Sequence, residues 1–449
     1  FFLLNIGKNI ISVNKKKIFY WSISVALSGF LFGFDTVVIS GANLPIRDLW
    51  GTSPIFHGIF IMSMALWGTV IGALFGSYPC DKFGRKKTLI IIGLLFLFSA
   101  LGSAVAWDPY SFSFFRFIGG VGVGASSVAS PTYISEVSNK DNRGRLVALY
   151  QFNIVLGILI AYFSNYLLQG FGGDIDWRYM LGVEAIPSLF FLLSITRIPE
   201  SPRWLILFAN NENKARDILK IMYNGGDVDK KINEIRKVDV INKLNLFSKP
   251  FYIQLKLAFL ISFFNQLSGI NFVLYYAPQI LESAGFGTSD SLMSSISIGV
   301  INLIFTLIGV RLIDSFGRKF LMYIGSLGYI ISLISIGSCF LLNLNSDILL
   351  FFILLFVASH AVGQGAVIWV FISEIFPNSV RAKGQSFGAG VHWVFAALIT
   401  AITPFVIDLL GNNPGIIFFF FGVMMVFQLL FVYRTMPETR KTSLEKMKL

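Results

Sequence analysis

Long apolar stretches separated by short polar segments run through almost the whole chain. Each stretch holds about 20 or more mostly apolar residues, the length that an α-helix needs to cross the hydrocarbon core of a bilayer. We therefore expect an all-α membrane protein. Twelve spanning helices are predicted, at about residues 18–42, 56–79, 88–107, 110–136, 146–169, 178–197, 251–283, 291–313, 320–342, 347–372, 384–409 and 415–435.

The seventh apolar stretch contains a polar insertion. Asn265, Gln266, Ser268 and Asn271 lie within it, although polar groups in hydrocarbon need internal partners. On an unbroken helix Gln266 and Asn271 would point about 140° apart, so we expect a bend or unwinding at Gly269 that turns both toward one cavity. Uncharged amides beside aromatic rings suit a neutral polyhydroxylated ligand. The alternative is that these amides only join neighbouring helices.

Composition and charge agree with the hydropathy pattern. Of the 449 residues, 55% are hydrophobic and 13% charged, and the mean hydropathy is +0.71. A formal charge of +12 would raise nucleic acid as a partner for a soluble protein. The predicted helices instead place nearly all Lys and Arg at one set of loop ends, which is the positive-inside pattern. We expect a multi-pass protein of the cell membrane with both termini cytoplasmic and no nucleic-acid partner.

The two halves of the chain repeat each other at a nearly constant spacing. Several matched signatures indicate a duplicated six-helix unit, the architecture of the major facilitator superfamily. We expect an N-terminal bundle over residues 1–198, a charge-rich cytoplasmic helical linker over 199–250, a C-terminal bundle over 251–436 and a cytoplasmic tail over 437–449. The matched positions are Asp81, Gly84 and Arg85 with Asp314, Gly317 and Arg318, then Glu136 and Arg143 with Glu374 and Arg381, and Glu200 with Glu438.

Three ionisable residues are predicted inside the membrane. They are Asp35 in helix 1, Arg116 in helix 4 and Glu184 in helix 6. Charges in the membrane are costly and by default indicate function. Two carboxylates and one guanidinium have a net charge of −1, which a single proton would neutralise. These residues are candidates for proton coupling, and a purely structural salt bridge is the alternative.

Short motifs along the chain resemble the sugar porter family of the major facilitator superfamily. The motifs are Asp81-x-x-Gly-Arg-Lys, Arg116-x-x-Gly-Gly-x-Gly-x-Gly, Pro199-Glu-Ser-Pro-Arg-Trp, Gln266-Leu-Ser-Gly-Ile-Asn and Pro437-Glu-Thr. The resemblance covers about residues 28–439. Proton-coupled members of that family carry an acid at the position of Asp35, whereas facilitators typically carry a neutral residue. The resemblance also implies sugar ligands at Gln151, Gln266, Asn271 and Asn302, an aromatic wall at Trp369 and an outer gate at Tyr275 and Tyr276.

Some positions depart from the family pattern. Asn265 stands where the family often has glutamine, and His392 stands where it usually has glutamine or asparagine before a tryptophan of helix 11. Residues 363–366 of helix 10 lack a proline often found there. We expect Asn265 and His392 to belong to the sugar site, with helix packing as the alternative for His392. We expect His360 to pack between helices and His57 to lie in a loop.

Charged residues at the cytoplasmic helix ends form a matched acid–base pattern in both halves. Their simplest role is to anchor the helices and set the topology. The pattern also predicts salt bridges between helices that hold the cytoplasmic side shut, a role that the resemblance implies as well. A bias of a few kcal/mol between two states is enough for such a gate. The residues are Asp81, Arg85, Glu136, Arg143, Glu200, Asp314, Arg318, Glu374 and Arg381.

Together these features predict a secondary active transporter that imports a monosaccharide, either a hexose or a pentose, with a proton by alternating access. We expect a monomer in the lipid bilayer. No metal cluster, phosphate loop or nucleophile with a base is evident in the sequence, so we expect no enzyme activity, metal or cofactor. A facilitative uniporter and a transporter-like sugar receptor are the alternatives. The short tail after Pro437 argues against the receptor.

The predicted topology can be tested by labelling introduced cysteines. If the basic loops lie on one side, Asn213 in the linker and Ser289 just before helix 8 face opposite sides of the membrane. We expect a membrane-impermeant maleimide to label Ser289→Cys in intact cells and to reach Asn213→Cys only after permeabilisation. Labelling of both positions from the same side would contradict the topology.

Overall fold

The computed structural model describes residues 13–138, 142–223, 227–237, 245–377, 380–411 and 413–440. Within these ranges, twelve helices are long and apolar enough to span a bilayer, which confirms the predicted fold class. The tail beyond residue 440 lies outside the described residues. In chain order, helices 1 to 12 are Lys15–Trp50, Pro54–Phe75, Arg85–Val105, Pro109–Val137, Arg143–Leu168, Gly173–Thr196, Lys249–Ser283, Thr288–Phe316, Arg318–Leu341, Ser346–Ile375, Arg381–Leu409 and Gly415–Arg434.

Several of these spans are interrupted near the middle or at one end. Interrupted helices in transporters occur where the freed backbone groups and nearby polar side chains line a site or a cavity. Helix 2 is π-helical over His57–Met62. The other interrupted spans are helix 6, made of Asp176–Gly182 and Ala185–Thr196, helix 7, made of Tyr252–Gln266 and Ile270–Ser283, and helix 10, made of Ser346–Val362 and Gln364–Ile375.

The break in helix 10 occurs without the proline that the family pattern would supply. Gly363 has φ −83° and ψ −101°, which is not helical. Here the Gln364 side chain donates to Gln428 of helix 12, and Gln428 Nε2 donates to Ser326 Oγ of helix 9 at 2.8 Å. A buried amide network therefore fixes three helices together at the break.

The turns before helices 3 and 9 show the internal repeat directly. Gly84 and Gly317 both have φ +93°, with ψ 162° and 167°. Each turn is followed by an arginine that begins the next helix. Equal backbone conformations at corresponding places, far apart in the chain, support the duplicated six-helix unit.

Two apolar clusters show how the halves and the linker pack. The first runs from Val37 and Val38 of helix 1 through Tyr275 of helix 7 into the C-terminal half. The second fills the other end of the N-terminal half and includes Leu205 and Leu219 of the linker. The halves thus share a core at the end of the helices opposite the linker. We call this the outer end, and the opposite one the linker end.

The linker forms the short helices that its residue spacing predicts. These are Pro202–Leu207, Glu212–Tyr223 and Val228–Lys237. Arg216 pairs with Glu212 at 3.0 Å and with Asp229 at 2.6 Å, which joins the second linker helix to the third. Such exposed pairs contribute little stability, so the linker is held mainly by its apolar contacts with the N-terminal half.

Two predictions about the outer end are wrong. Helix 1 does not end near residue 42 but continues to Trp50, because the polar side chain of Asn43 and the apolar Ile46 are both buried. His57 does not lie in a loop, since it is fully buried in helix 2 and contacts Asn43. A prediction from hydropathy ends a helix at such polar residues. In the structure the helix continues, because partners on other helices satisfy their side chains.

A substitution at Gly269 tests how tightly the break in helix 7 is specified. Gly269 has φ +83°, in the left-handed region, and an added Cβ would lie 2.4 Å from Phe421 Cδ2. We expect Gly269→Ala to lower the free energy of unfolding by on the order of 1–3 kcal/mol, through backbone strain and displacement of the ring. Thermal unfolding in detergent measures the change.

Gly285→Ala is the matched control. Gly285 has φ +95°, but the nearest atom to its added Cβ is Ser346 Oγ at 3.6 Å, so only the backbone strain remains. An equal loss of stability in Gly285→Ala and Gly269→Ala would contradict tight packing at the break.

Candidate functional site

The break in helix 7 brings its amides together. After the left-handed turn at Gly269, Asn271 Nδ2 donates to Gln266 Oε1 at 2.9 Å. Gln266 Nε2 in turn donates to Asn265 Oδ1 at 3.1 Å. The prediction that an unwound segment turns Gln266 and Asn271 toward one place is confirmed. The local break in the helix is what allows these amides to meet.

His392 of helix 11 completes this amide cluster. Gln266 Nε2 lies 3.0 Å from His392 Nε2 and 3.2 Å from His392 Nδ1, and because an amide NH₂ only donates, it bonds to whichever of these nitrogens carries no proton. The ring packs between Trp369 and Trp393, with centroid distances of 5.0 and 4.6 Å. The cluster therefore presents amides and an imidazole edge beside two indoles.

The other predicted ligands lie on helices 5 and 8. Gln151 is half-buried, and Asn302 is buried and accepts from Thr306 Oγ1 at 3.4 Å. Neither makes a described hydrogen bond to the helix 7 amides. Trp369 is 38% exposed, so part of its indole is open to contact. The structure joins the amides, His392 and Trp369, and leaves Gln151 and Asn302 as separate polar groups.

Asp35, Arg116 and Glu184 meet inside the N-terminal half. Arg116 Nη1 donates to Asp35 Oδ1, and Nη2 donates to the Asp35 carbonyl oxygen at 3.0 Å. The Glu184 carboxyl lies close to Asp35, beside the break in helix 6. Each of the three is 2% exposed. Two carboxyl groups beside one guanidinium leave one negative charge that a single proton would neutralise, so the triad stays the candidate for proton coupling.

The triad has further polar neighbours that sequence reasoning missed. Gly119 leaves room between Ser99 and Asp35: an added Cβ would lie 2.3 Å from Ser99 Oγ and 3.6 Å from Asp35 Oδ1. Ser99 Oγ, Arg116 Nε and Glu184 Oε1 are buried without a described protein partner. Buried polar groups of this kind are usually satisfied by water, which is also a route for proton exchange. Only the three-dimensional arrangement of helices 1, 3, 4 and 6 reveals this.

The outer part of helix 7 connects the amide cluster with the triad. Tyr275 lies one turn beyond Asn271, is fully buried, and its hydroxyl contacts Thr36, the residue after Asp35. The Tyr276 hydroxyl donates to the Thr400 carbonyl of helix 11 at 2.8 Å. A movement of this short helical piece therefore affects both polar sites.

Hydrogen bonds cross between the halves at the outer end. The Tyr162 hydroxyl of helix 5 donates to the Leu274 carbonyl of helix 7 at 2.8 Å. Asn43 Nδ2 of helix 1 donates to Gln279 Oε1 of helix 7, also at 2.8 Å. With both predicted gate tyrosines buried, the outer end is closed in this conformation.

The predicted salt bridges at the linker end form, but each network lies within one half. Arg85 Nε donates to Glu136 Oε2 at 3.0 Å, and Arg318 Nε donates to Glu374 Oε2 at 3.0 Å. Asp81 and Asp314 lie 3.2 and 3.6 Å from these arginines. Arg143 is exposed, and Arg381 donates to the Phe376 carbonyl at 3.2 Å. The arginine–carboxylate pairs named here each join helices of one half.

Glu200 and Glu438 occupy matching positions beside these networks. Glu200 accepts from the backbone N–H of Arg85 at 2.9 Å, and Glu438 accepts from that of Arg318 at 3.0 Å. Burial raises the pKa of Glu200, although the backbone N–H groups oppose it. Burial also acts to raise the pKa of Glu438, but there the backbone N–H groups prevail and the pKa is lowered. Both carboxyls cap the start of a spanning helix.

Twelve spans in two repeated halves around buried polar sites define a secondary transporter of the major facilitator fold. Residues 21–449 match the family described as "Sugar (and other) transporter", and the chain belongs to this family of transporters, which are not enzymes. It is 37% identical to the arabinose-proton symporter of Bacillus subtilis, over 95% of this chain and 93% of that protein. It is 33% identical to the D-xylose-proton symporter of Escherichia coli, over 97% and 96%.

Solved structures of the xylose transporter XylE from E. coli have the same fold. The partially occluded inward open structure matches with a TM-score of 0.84 and 31% identity, over 95% of this chain and 100% of that one. XylE bound to 6-bromo-6-deoxy-D-glucose matches with a TM-score of 0.79 and 32% identity, over 96% and 98%. The better match to an inward open structure agrees with the closed outer end described above.

Proposed function

We propose that this protein imports a monosaccharide, a hexose or a pentose, together with a proton by alternating access. The observation that carries the proposal is the outer piece of helix 7. It starts at the amide cluster, and its Tyr275 contacts Thr36, the residue after Asp35 of the triad. Ligand binding at one end of this piece and proton binding at the other would act on the same element. The proton-symporter names of the relatives support this substrate pair.

The amide cluster is the proposed sugar site. Its groups bond to one another in the described conformation, so sugar hydroxyls would exchange for these protein–protein bonds. Because the sugar also gives up bonds to water, each bond that it makes to the protein contributes only about 0.5–1.5 kcal/mol net, which allows the sugar both to bind and to leave. The indole of Trp369 would pack against the C–H face of the sugar. The proposed polar ligands are Gln151, Asn265, Gln266, Asn271, Asn302 and His392.

Asp35 is the proposed carrier of the coupled proton, with Arg116 and Glu184 as its partners. In the outward-open state Asp35 would take a proton and release Arg116, and closure around sugar would carry a neutral site inward. Return without sugar requires the proton to leave and Asp35 to pair with Arg116 again. The proximity of Glu184 supports the scheme, because a proton on one of two neighbouring carboxyls can be passed to the other.

The proposed gates lie at the two ends of the site. Tyr275 and Tyr276 would form the outer gate, and the charged networks at the linker end would stabilise the cytoplasmic side when it closes. Because those networks stay within each half here, they would act by fixing the helix ends that meet on closure. We also propose cytoplasmic termini and linker, a monomer in the cell membrane, and domain bounds of 1–198, 199–250, 251–436 and 437–449.

Substitutions in the amide cluster test the sugar site. We expect Gln266→Ala to weaken sugar binding roughly tenfold, because about 1–3 kcal/mol is lost when a sugar hydroxyl has no partner. Trp369→Ala should weaken it similarly through lost ring contact. Binding of a labelled sugar to the purified protein measures both effects.

Gln169→Ala and Trp107→Ala are the matched controls, since both residues lie at the outer end away from the cluster. They should bind sugar as the parent does. If Gln266→Ala and Trp369→Ala, folded and in the membrane, also retain parental affinity, the sugar site lies elsewhere.

Neutralising Asp35 tests the coupling. Asp35→Asn mimics the protonated carboxyl, so it should still bind sugar and exchange it between compartments but fail to accumulate it against a gradient. Glu184→Gln should impair accumulation less, and Asp290→Asn, an exposed carboxylate on helix 8, should leave it unchanged. Uptake into proteoliposomes with and without an imposed pH gradient measures this. If Asp35→Asn still concentrates sugar in response to the gradient, Asp35 does not couple sugar to protons. If uptake by the parent protein does not depend on the gradient, the protein is a uniporter.

A further inference from the structure

His57 is a buried polar residue that the proposed transport mechanism leaves without a role. It lies at the start of the π-helical segment of helix 2, and π-helical segments occur frequently at functional sites. Its neighbour Gly58 packs against the backbone of helix 11, since an added Cβ would lie 1.9 Å from the Ala401 carbonyl oxygen. His57 therefore sits where the two halves meet at the outer end.

A chain of hydrogen bonds runs from His57 to the other half of the protein. Thr52 Oγ1 lies 2.9 Å from His57 Nδ1, and His57 Nε2 lies 2.8 Å from Asn43 Oδ1. Asn43 Nδ2 then donates to Gln279 Oε1 of helix 7 at 2.8 Å. His57 is fully buried and Asn43 nearly so. The chain links helix 2 through helix 1 to the outer piece of helix 7.

The directions of these bonds follow from their chemistry. The Asn43 NH₂ group donates to Gln279, so the Asn43 oxygen is left to accept. His57 Nε2 must then carry the proton that it donates to Asn43, and Nδ1 accepts from the Thr52 hydroxyl. In this arrangement His57 fixes which way the Asn43 amide points. With Gln279 Oε1 facing Asn43, as in this structure, a flipped Asn43 amide would place one oxygen acceptor opposite another.

The Asn43–Gln279 bond is well placed to hold the outer gate shut. Gln279 lies one turn beyond Tyr275 and Tyr276, just past the kink at Tyr276, where φ is −118° and ψ is 17°. Arg47 and Asp408 also pair across the halves, at 3.6 Å, but their side chains are 24% and 52% exposed, so water and salt weaken that pair. The buried bond is therefore the more effective of the two contacts.

We propose that His57 is a positioning residue that orients the Asn43 amide so that it latches helix 7 and keeps the outer end closed. The proposal rests on the alternating-access function above, because it requires an outward-open state that the latch disfavours. Breaking one buried hydrogen bond should raise the ratio of outer-open to outer-closed molecules by roughly fivefold. His57 acts through Asn43 and needs no contact with sugar.

The test measures the opening of the outer end directly. Spin labels are attached at Trp107→Cys and Leu342→Cys, two exposed positions at the outer ends of helices 3 and 9, in a Cys80→Ser/Cys339→Ser background. Pulsed EPR on the full-length protein in sugar-free proteoliposomes gives the distance distribution. We expect His57→Ala and Gln279→Ala each to increase the longer-distance population about fivefold relative to the labelled parent.

Further variants separate positioning from a general structural effect. His57→Gln retains a donor for Asn43 and an acceptor for Thr52, so it should restore most of the closed population. His57→Ala added to Gln279→Ala should open the outer end no further, because both act on one bond. His360→Ala is the matched control, since His360 is a half-buried histidine bonded to Tyr329 within its own half, at 2.5 Å. It should leave the distances unchanged.

Three results would overturn the proposal. Unchanged distances in both His57→Ala and Gln279→Ala would mean that no latch exists. If the outer end opens in Gln279→Ala but not in His57→Ala, His57 does not position the latch. Equal opening in His360→Ala would show a general effect of losing a histidine that bonds between helices. Because the readout contains no sugar, a protein that opens as expected but does not transport sugar would count against the proposed function and not against the latch.

Discussion

The centre of this protein depends on one backbone constraint, the left-handed turn at Gly269. Amide side chains inside a membrane need partners, and a continuous helix would turn Gln266 and Asn271 away from each other. The turn lets them bond directly and also creates a short, separate helical piece beyond it. That piece carries Tyr275, which contacts the segment of helix 1 that holds Asp35. One break therefore produces both a polar cluster and a mechanical link to the buried charges.

The two ends of the molecule are built differently. At the outer end, hydrogen bonds from Tyr162 and Asn43 cross from one half to the other. At the linker end, the arginine–glutamate pairs described here stay within their halves. Opening the outer end thus means breaking a few buried contacts of about 1 kcal/mol each, while the linker-end networks stay intact within rigid halves. This is the kind of two-state balance that sugar and proton binding can shift.

Much of this architecture follows from the sequence, because hydropathy and repeated motifs are local signals. They predicted the twelve spans, the duplicated unit and the break at Gly269. The Arg85–Glu136 and Arg318–Glu374 pairs were also predictable as ion pairs. The sequence did not indicate that each pair lies within one half. Their proposed gating role, like the sugar-binding roles of Gln151 and Asn302, stays a prediction.

What the sequence did not predict depends on partners far away in the chain. Helix 1 was predicted to end before Asn43, and His57 was assigned to a loop, because polar residues near a span end usually face water. In the structure each satisfies the other, and Asn43 also bonds to Gln279, more than 200 positions further along. Ser99 was missed for the same reason, since only the packing of helix 3 across Gly119 places it near Asp35.

The central claim is that one helical piece couples sugar binding to proton binding. Its most direct test is the movement of protons driven by sugar alone. Proteoliposomes that contain the protein and an internal pH-sensitive dye, with no imposed pH gradient, are given a sugar gradient directed inward. The account predicts that the interior becomes acidic as sugar enters, and that a non-transported sugar has no effect. Sugar entry without any change of internal pH would contradict the coupling.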